Sequence, residues 1–166
     1  MKDAQPMHGD MTPPGLSFAF RILLEFDAGP RLRFEPAYQS ARRGFVAVQG
    51  GTIDGTRLRG RVLPQSGGDW PRLWHSGLTE FEAHYLLEAA DGTPIYIHNR
   101  GLAYAAPAVM ARIEAGAQVS ADETYCRVTP RFEVPAGPHE WLARTLFVGK
   151  GERRGAQSAF DYYEVT

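Results

Sequence analysis

From Leu16 to Phe26 every second residue is apolar: Leu16, Phe18, Phe20, Ile22, Leu24 and Phe26. The positions between them are mixed and include Arg21 and Glu25. Successive side chains of a strand point to opposite faces, so this pattern predicts one long strand with a continuous apolar side. Leaving that side in water would cost about 25 cal/mol for each Å² of apolar surface, so the even-numbered residues are expected to face a core. Further strands are predicted over 45–49, 56–63, 80–89, 93–100, 124–134, 141–149 and 158–165.

The breaks between these segments carry turn chemistry. Asp54-Gly55 and Asp91-Gly92 supply the backbone conformations of tight hairpins, and Gly50-Gly51 and Gly67-Gly68 mark bends or bulges. Only 106–115 has helical spacing, with Val109, Met110 and Ile113 on one side, Pro107 in the first turn and Gly116 at the end. About eight strands and one short helix, joined by short connections, predict a mainly β meander that either closes into a barrel or splits into a sandwich, and a single antiparallel barrel over 16–166 is the expectation. A barrel of that size has room for packed side chains or for one small ligand.

The 166 residues are 43% hydrophobic and 22% charged, which fits one globular domain and not a disordered chain. A net charge of −1 provides no global field for nucleic acid. Residues 1–15 mix Lys, Asp, His and three prolines without an apolar run. They read as a loose tail, with no signal peptide or membrane span, and the expectation is a cytoplasmic domain. One cysteine, Cys126, permits no intrachain disulfide and is read as a small buried hydrophobe.

Asp69 follows Gly67-Gly68 and precedes Trp70, so a turn sets a carboxylate beside an indole. Partial desolvation there would raise its pKa and fit it for general acid or base work, whereas the plainer reading makes Asp69 a turn cap. On 95–100, Tyr96, His98 and Arg100 alternate with Ile95, Ile97 and Asn99. Either set can face the lumen, because a one-residue slip exchanges the faces. The same choice stands for His84 and Glu88 against Tyr85 and Leu87. Arg127 and Glu133 share a parity and form either a pair across a cavity or a surface pair. Trp141 follows a loop and can cover an opening or fill the core. His8, His75, His84, His98 and His139 have no recognised ligand spacing, so no metal is expected. The Gly-Gly pairs open no helix, which excludes a phosphate loop, and Ser66 sits in no nucleophile elbow.

Several of these segments together resemble a known family. They are Gly50-Gly51-Thr52-Ile53-Asp54-Gly55, Leu58-Arg59-Gly60-Arg61-Val62-Leu63-Pro64 and Gly67-Gly68-Asp69-Trp70. His84-Tyr85, Asp91-Gly92, Ile95-Tyr96 and Asn99-Arg100-Gly101 follow, then Thr129-Pro130-Arg131-Phe132-Glu133, Trp141-Leu142 and Phe147-Val148-Gly149-Lys150-Gly151-Glu152. In this order, over 32–165, they resemble the bacterial and fungal family of domain of unknown function 3237, or uncharacterised protein family 0311. His84 stands where that family usually has Arg, Ala143 where it has Asn, and Cys126 where it has an aromatic residue. The resemblance implies a barrel similar to that of allene oxide cyclases, a tendency to form homo-oligomers, and small-molecule cyclisation or isomerisation.

The expectation is therefore an enzyme without cofactor or metal, acting inside the barrel on an apolar aromatic or polyketide-like molecule. Asp69 would be its acid or base, with His84 a second proton-transfer candidate. Tyr96, Asn99, Arg100, Arg127 and Glu133 would contact polar groups of the substrate, and Trp70, Tyr85 and Trp141 would enclose its rings. The alternative is a barrel that binds or carries a small hydrophobic ligand without chemistry. A homodimer is the simplest assembly expected, with no nucleic-acid or membrane partner.

Overall fold

The alternating segment is β1 (Leu16–Phe26) and the barrel is built round it. A computed structural model describes residues 12–27, 32–154 and 157–166. Eleven strands appear among them: β1, β2 (Leu32–Phe34), β3 (Arg42–Gly55), β4 (Gly60–Val62), β5 (Gly68–Asp69), β6 (Arg72–Leu73), β7 (Leu78–Ala89), β8 (Pro94–Ala105), β9 (Thr124–Glu133), β10 (Phe147–Arg154) and β11 (Gln157–Val165). All their pairings are antiparallel. The order β1-β11-β10-β9-β8-β7-β4-β3 returns to β1 through a β1–β3 pairing, which closes the sheet. The short strands β4, β5 and β6 all run between β3 and β7, so they act as one interrupted stave and the barrel has eight.

Phe20, Ile22 and Leu24 of β1 are buried as the alternation predicts, but Leu16 and Phe18 are 61% and 48% exposed. The cause is a bulge. Phe18 pairs with Tyr163 and Phe20 with Tyr162, so Ala19 is an extra residue that turns the first part of the strand over. The pair Gly50-Gly51 lies within β3 beside a second irregularity, where the β1–β3 register shifts.

Among the described residues two short α-helices interrupt the strands, one more than the sequence predicts. The expected one is α1 (Pro107–Glu114), with Pro in its first turn. The other, α2 (Trp141–Arg144), replaces the start of the strand predicted over 141–149, and pairing with β11 begins only at Phe147. Trp141 and Leu142 are consecutive and both buried, which a strand could not achieve, because it would send one of them to each face. One helical turn drops both into the barrel end.

The lumen is filled at that end. Phe20, Phe132, Trp141, Phe147 and Tyr162 meet edge-on or tilted, with ring centroids 5.3–6.5 Å apart. Arg57 lies 3.8 Å over the Trp141 ring and bonds Glu164 at 2.7 Å, closing the plug from outside. At the opposite end the inward positions Phe26, Val46, Asp69, Phe81, Cys126 and Phe160 are only partly buried, and this is the barrel mouth. Residues 1–11 of the predicted tail lie outside the described residues. Gly15 exchanges two backbone hydrogen bonds with Thr166, at 2.8 and 3.0 Å.

Candidate functional site

Strand register decides which side of the wall each polar residue takes. Asp69 is opposite Val46 on β3 and Ala83 on β7, Ala83 is opposite Asn99, and Asn99 is opposite Pro130. Directly paired residues share a face, so this row points inward. One row over, His84 is opposite His98 and His98 is opposite Arg131, and that row points out. The residues the sequence gathers round one lumen therefore form two groups with one strand's thickness between them. Asp69, Tyr85, Asn99 and Trp141 are inside. His84, Tyr96, Arg100, Arg127 and Glu133 are on the outer face, which removes them from a site within the barrel. Trp70 is also outside, 46% exposed and 4.4 Å from the Phe45 ring.

Asp69 is largely buried at the mouth. Its Oδ1 accepts the Glu82 backbone N–H at 3.1 Å. Loss of water raises its pKa to about 6, against the lowering effect of bonds from the Glu82 and Trp70 backbone N–H groups. It is thus a turn residue and a perturbed carboxyl at once. Beneath it, Asn99 Nδ2 donates to the Tyr162 hydroxyl at 2.9 Å. The Tyr85 and Tyr162 hydroxyls are close enough to act on each other's ionisation, and burial holds both phenols well above their ordinary range. Even so, the Tyr85 hydroxyl and Asn99 Oδ1 are buried without a hydrogen-bond partner of good geometry. Asp69 is also within electrostatic reach of Tyr85 and of Cys126, whose thiol burial pushes up to about 11.

Phe26, Phe81 and Phe160 are the partly buried apolar residues at this end, beside the polar cluster. Trp141, expected to enclose rings of a ligand, instead plugs the far end. Tyr162 and Cys126 complete the inner group and were not legible as site residues. Tyr162 follows Asp161 on a strand whose inward parity only the register fixes, and Cys126 carries no signal beyond a small apolar side chain.

On the outer face, His84 and His98 stack with ring centroids 4.0 Å apart and planes 17° apart. His84 Nδ1 is hydrogen-bonded to the Tyr96 hydroxyl, and His98 Nε2 lies 3.4 Å from Glu82 Oε1. Desolvation, then the neighbouring His98, lower the His84 pKa, with Glu82 opposing. A groove of about 540 Å³ passes His84 and Tyr96 with Phe45, Ser66 and Trp70 on its walls. Across Trp70 a second hollow of about 290 Å³ is lined by Arg43, Glu80, Glu82, Arg100 and Thr129. Glu82, His84 and His98 bring one ligand atom each within 4.8 Å of one another, a grouping that counting along the chain misses because the two histidines meet across strands. Arg127 and Glu133, expected as a possible pair, are six residues apart on β9 and separated by about 20 Å of extended chain. Arg127 instead lies 4.8 Å from the Tyr125 ring and donates to the Cys126 carbonyl.

The closed eight-stave antiparallel barrel is a fold shared with several solved proteins. Residues 14–165 match the family described as "Protein of unknown function (DUF3237)", and the chain belongs to that family. It is 29% identical over 123 residues to the UPF0311 protein blr7842 of Bradyrhizobium diazoefficiens, covering 74% of this chain and 80% of that protein. The structure of the conserved protein of unknown function RPA1785 from Rhodopseudomonas palustris superposes with a TM-score of 0.84 at 28% identity, covering 94% of this chain and all of that one. The β-barrel like protein ABAYE2633 of Acinetobacter baumannii gives 0.81 at 26%, covering 95% and 99%. An enzyme from Penicillium herquei shares the fold with a TM-score of 0.70 at 19% identity, covering 96% and 100%.

Proposed function

We propose that the barrel mouth is the active site of a small-molecule enzyme of the cyclase or isomerase type, in which Asp69 moves a proton on an apolar aromatic or polyketide-like substrate. The observation that carries this reading is a polar cluster on the inner wall: the largely buried Asp69 carboxyl, with the buried Tyr85 hydroxyl and Asn99 Oδ1, neither of which has a hydrogen-bond partner of good geometry. Buried polar atoms are nearly always satisfied, and each one left unpaired costs about 1–3 kcal/mol. A ligand oxygen brought to this cluster would accept from Tyr85, and a ligand hydroxyl would donate to Asn99 Oδ1.

The chemistry follows from the environment. A carboxyl that titrates near neutrality can give or take a proton at little cost in either direction. Tyr85 keeps its proton, so it serves as a donor to a developing enolate or phenolate oxygen. Phe26, Phe81 and Phe160 would hold the apolar part of the substrate, fixing one conformer for ring closure. The proton transfer needs no group that this chain does not supply. That the same fold carries an enzyme in Penicillium herquei agrees with the reading.

The test is exchange and conversion. Wild type and Asp69→Asn are incubated in D₂O with a panel of enolisable aryl ketones and o-allyl phenols, and C–H exchange and cyclised products are followed by NMR. Wild type is expected to accelerate at least one class, and Asp69→Asn to lose about 10²–10⁴ of that rate while ligand affinity changes little. Equal rates in both proteins would remove Asp69 from the chemistry. Saturable binding with no conversion in either would make the barrel a carrier.

A further inference from the structure

Independently of what Asp69 does, the outer face of the same wall offers a second, unused set of groups. Two imidazoles and one carboxylate converge there: His84 and Glu82 on β7, and His98 directly opposite on β8. We propose that Glu82, His84 and His98 bind one first-row transition-metal dication of the zinc class, with its remaining positions open to the groove beside Trp70.

Four observations support the site. The three ligand atoms lie within 4.8 Å of one another, close enough to converge on one ion. His98 Nε2 is shielded from solvent and has no hydrogen-bond partner, and the Glu82 carboxylate lies 3.4 Å from it. His84 has its other nitrogen engaged, because Nδ1 meets the Tyr96 hydroxyl, leaving Nε2 for an ion. Such an outer partner is the usual way a ligating imidazole is held in one tautomer. Lastly, the groups stand on adjacent, fully paired strands and not on loops, so their Cα positions are fixed before any ion arrives.

The donor set selects the ion. Imidazole nitrogens favour Zn²⁺, Co²⁺, Ni²⁺ and Fe²⁺ over Mg²⁺ and Ca²⁺, which prefer oxygen cages. Two histidines and one carboxylate leave at least one coordination position, as in sites that exchange water for a substrate oxygen. Glu82 lines one of the two hollows that meet at Trp70, with Arg100 beside it, and His84 lines the other. To bring both nitrogens to about 2.0–2.1 Å from one centre, a ring turns about its Cβ–Cγ bond and the stack opens.

The full-length protein, stripped with chelator and exchanged into metal-free buffer, is titrated with Zn²⁺ by calorimetry and with Co²⁺ by visible absorption. One equivalent is expected, with Co²⁺ bands in the 500–650 nm region of a four- or five-coordinate site. His98→Gln and Glu82→Gln should each weaken Zn²⁺ binding at least a hundredfold and tenfold respectively, Tyr96→Phe about tenfold through His84. His8→Ala and His139→Ala should leave it unchanged. Far-UV circular dichroism confirms that each variant is folded, and the cobalt spectrum of wild type needs no variant. Sub-stoichiometric binding, an octahedral all-oxygen cobalt spectrum, or binding that survives His98→Gln but not His8→Ala would overturn the site. Because Asp69→Asn leaves all three ligands in place, loss of turnover in that variant with full Zn²⁺ binding separates the two proposals.

Discussion

Asp69 combines two roles that the sequence presents as alternatives. It accepts backbone N–H bonds as a turn residue does, yet burial outweighs those bonds and raises its pKa from 3.8 to about 6. The sign of the stability effect follows. The unfolded carboxyl releases its proton near pH 4 and the folded one near pH 6, so between these values the folded state binds more protons. Stability then falls as pH rises through that window, and the loss is complete above about pH 6, at most about 3 kcal/mol for a shift of this size. Asp69→Asn abolishes the effect. In urea melts with chelator present, the stability of wild type relative to Asp69→Asn is expected to drop by up to that amount between pH 4 and pH 7. Parallel curves across that range would show that the carboxyl is not perturbed. The sequence could place a carboxylate beside an aromatic but not the direction of its shift, since that depends on the competition between desolvation and two backbone donors.

At the level of elements, what was readable was periodicity, and what was not was register. β1 announces its apolar face, but the Ala19 bulge that turns Leu16 and Phe18 outward has no marker in the alternation. The polar residues of β7 and β8 could be paired by parity, yet only the hydrogen-bonded register shows Asp69 and Asn99 facing in while His84, Tyr96 and Arg100 face out. α2 was misread as strand because Trp141-Leu142 is apolar in either structure. Glycines at element junctions offer a direct check. A Cβ at Gly67 would sit 1.8 Å from the His84 carbonyl oxygen, a backbone atom that cannot move without breaking the β5–β7 pairing. Gly92, in the β7–β8 turn, has open space but a φ of +85°. Gly67→Ala is therefore expected to cost about 3 kcal/mol, the top of the range for overpacking, and Gly92→Ala about 1 kcal/mol from backbone strain alone. Thermal denaturation of the pair tests this order, and equal costs would mean that β5 can shift away from β7.

For the whole molecule, closure leaves the short strand β2 as the free sheet edge among the described residues, so a second copy would meet this chain mainly through outer faces. Leu102, Tyr104 and Tyr125 are each nearly half exposed, and Tyr104 and Tyr125 are directly paired across β8 and β9. A homodimer joined through this strip is the assembly we expect. Light scattering should give twice the chain mass for wild type and one chain mass for Tyr104→Glu. A wild-type monomer at high protein concentration would end the idea.

The barrel closes where β1 lies between β3 and β11, and there Arg21 grips Asp161 through two hydrogen bonds, the longer 2.7 Å, across 140 residues of sequence. On a ribosome making about 5–20 residues each second, β1 waits roughly 7–30 s for that partner. β3 can dock on one edge early, but the other edge of β1 and the inner sides of Phe20, Ile22 and Leu24 stay uncovered until the last strand emerges. The newborn chain thus carries an apolar strip that no native partner covers for most of its synthesis, the interval in which such a strip is open to pairing with other chains.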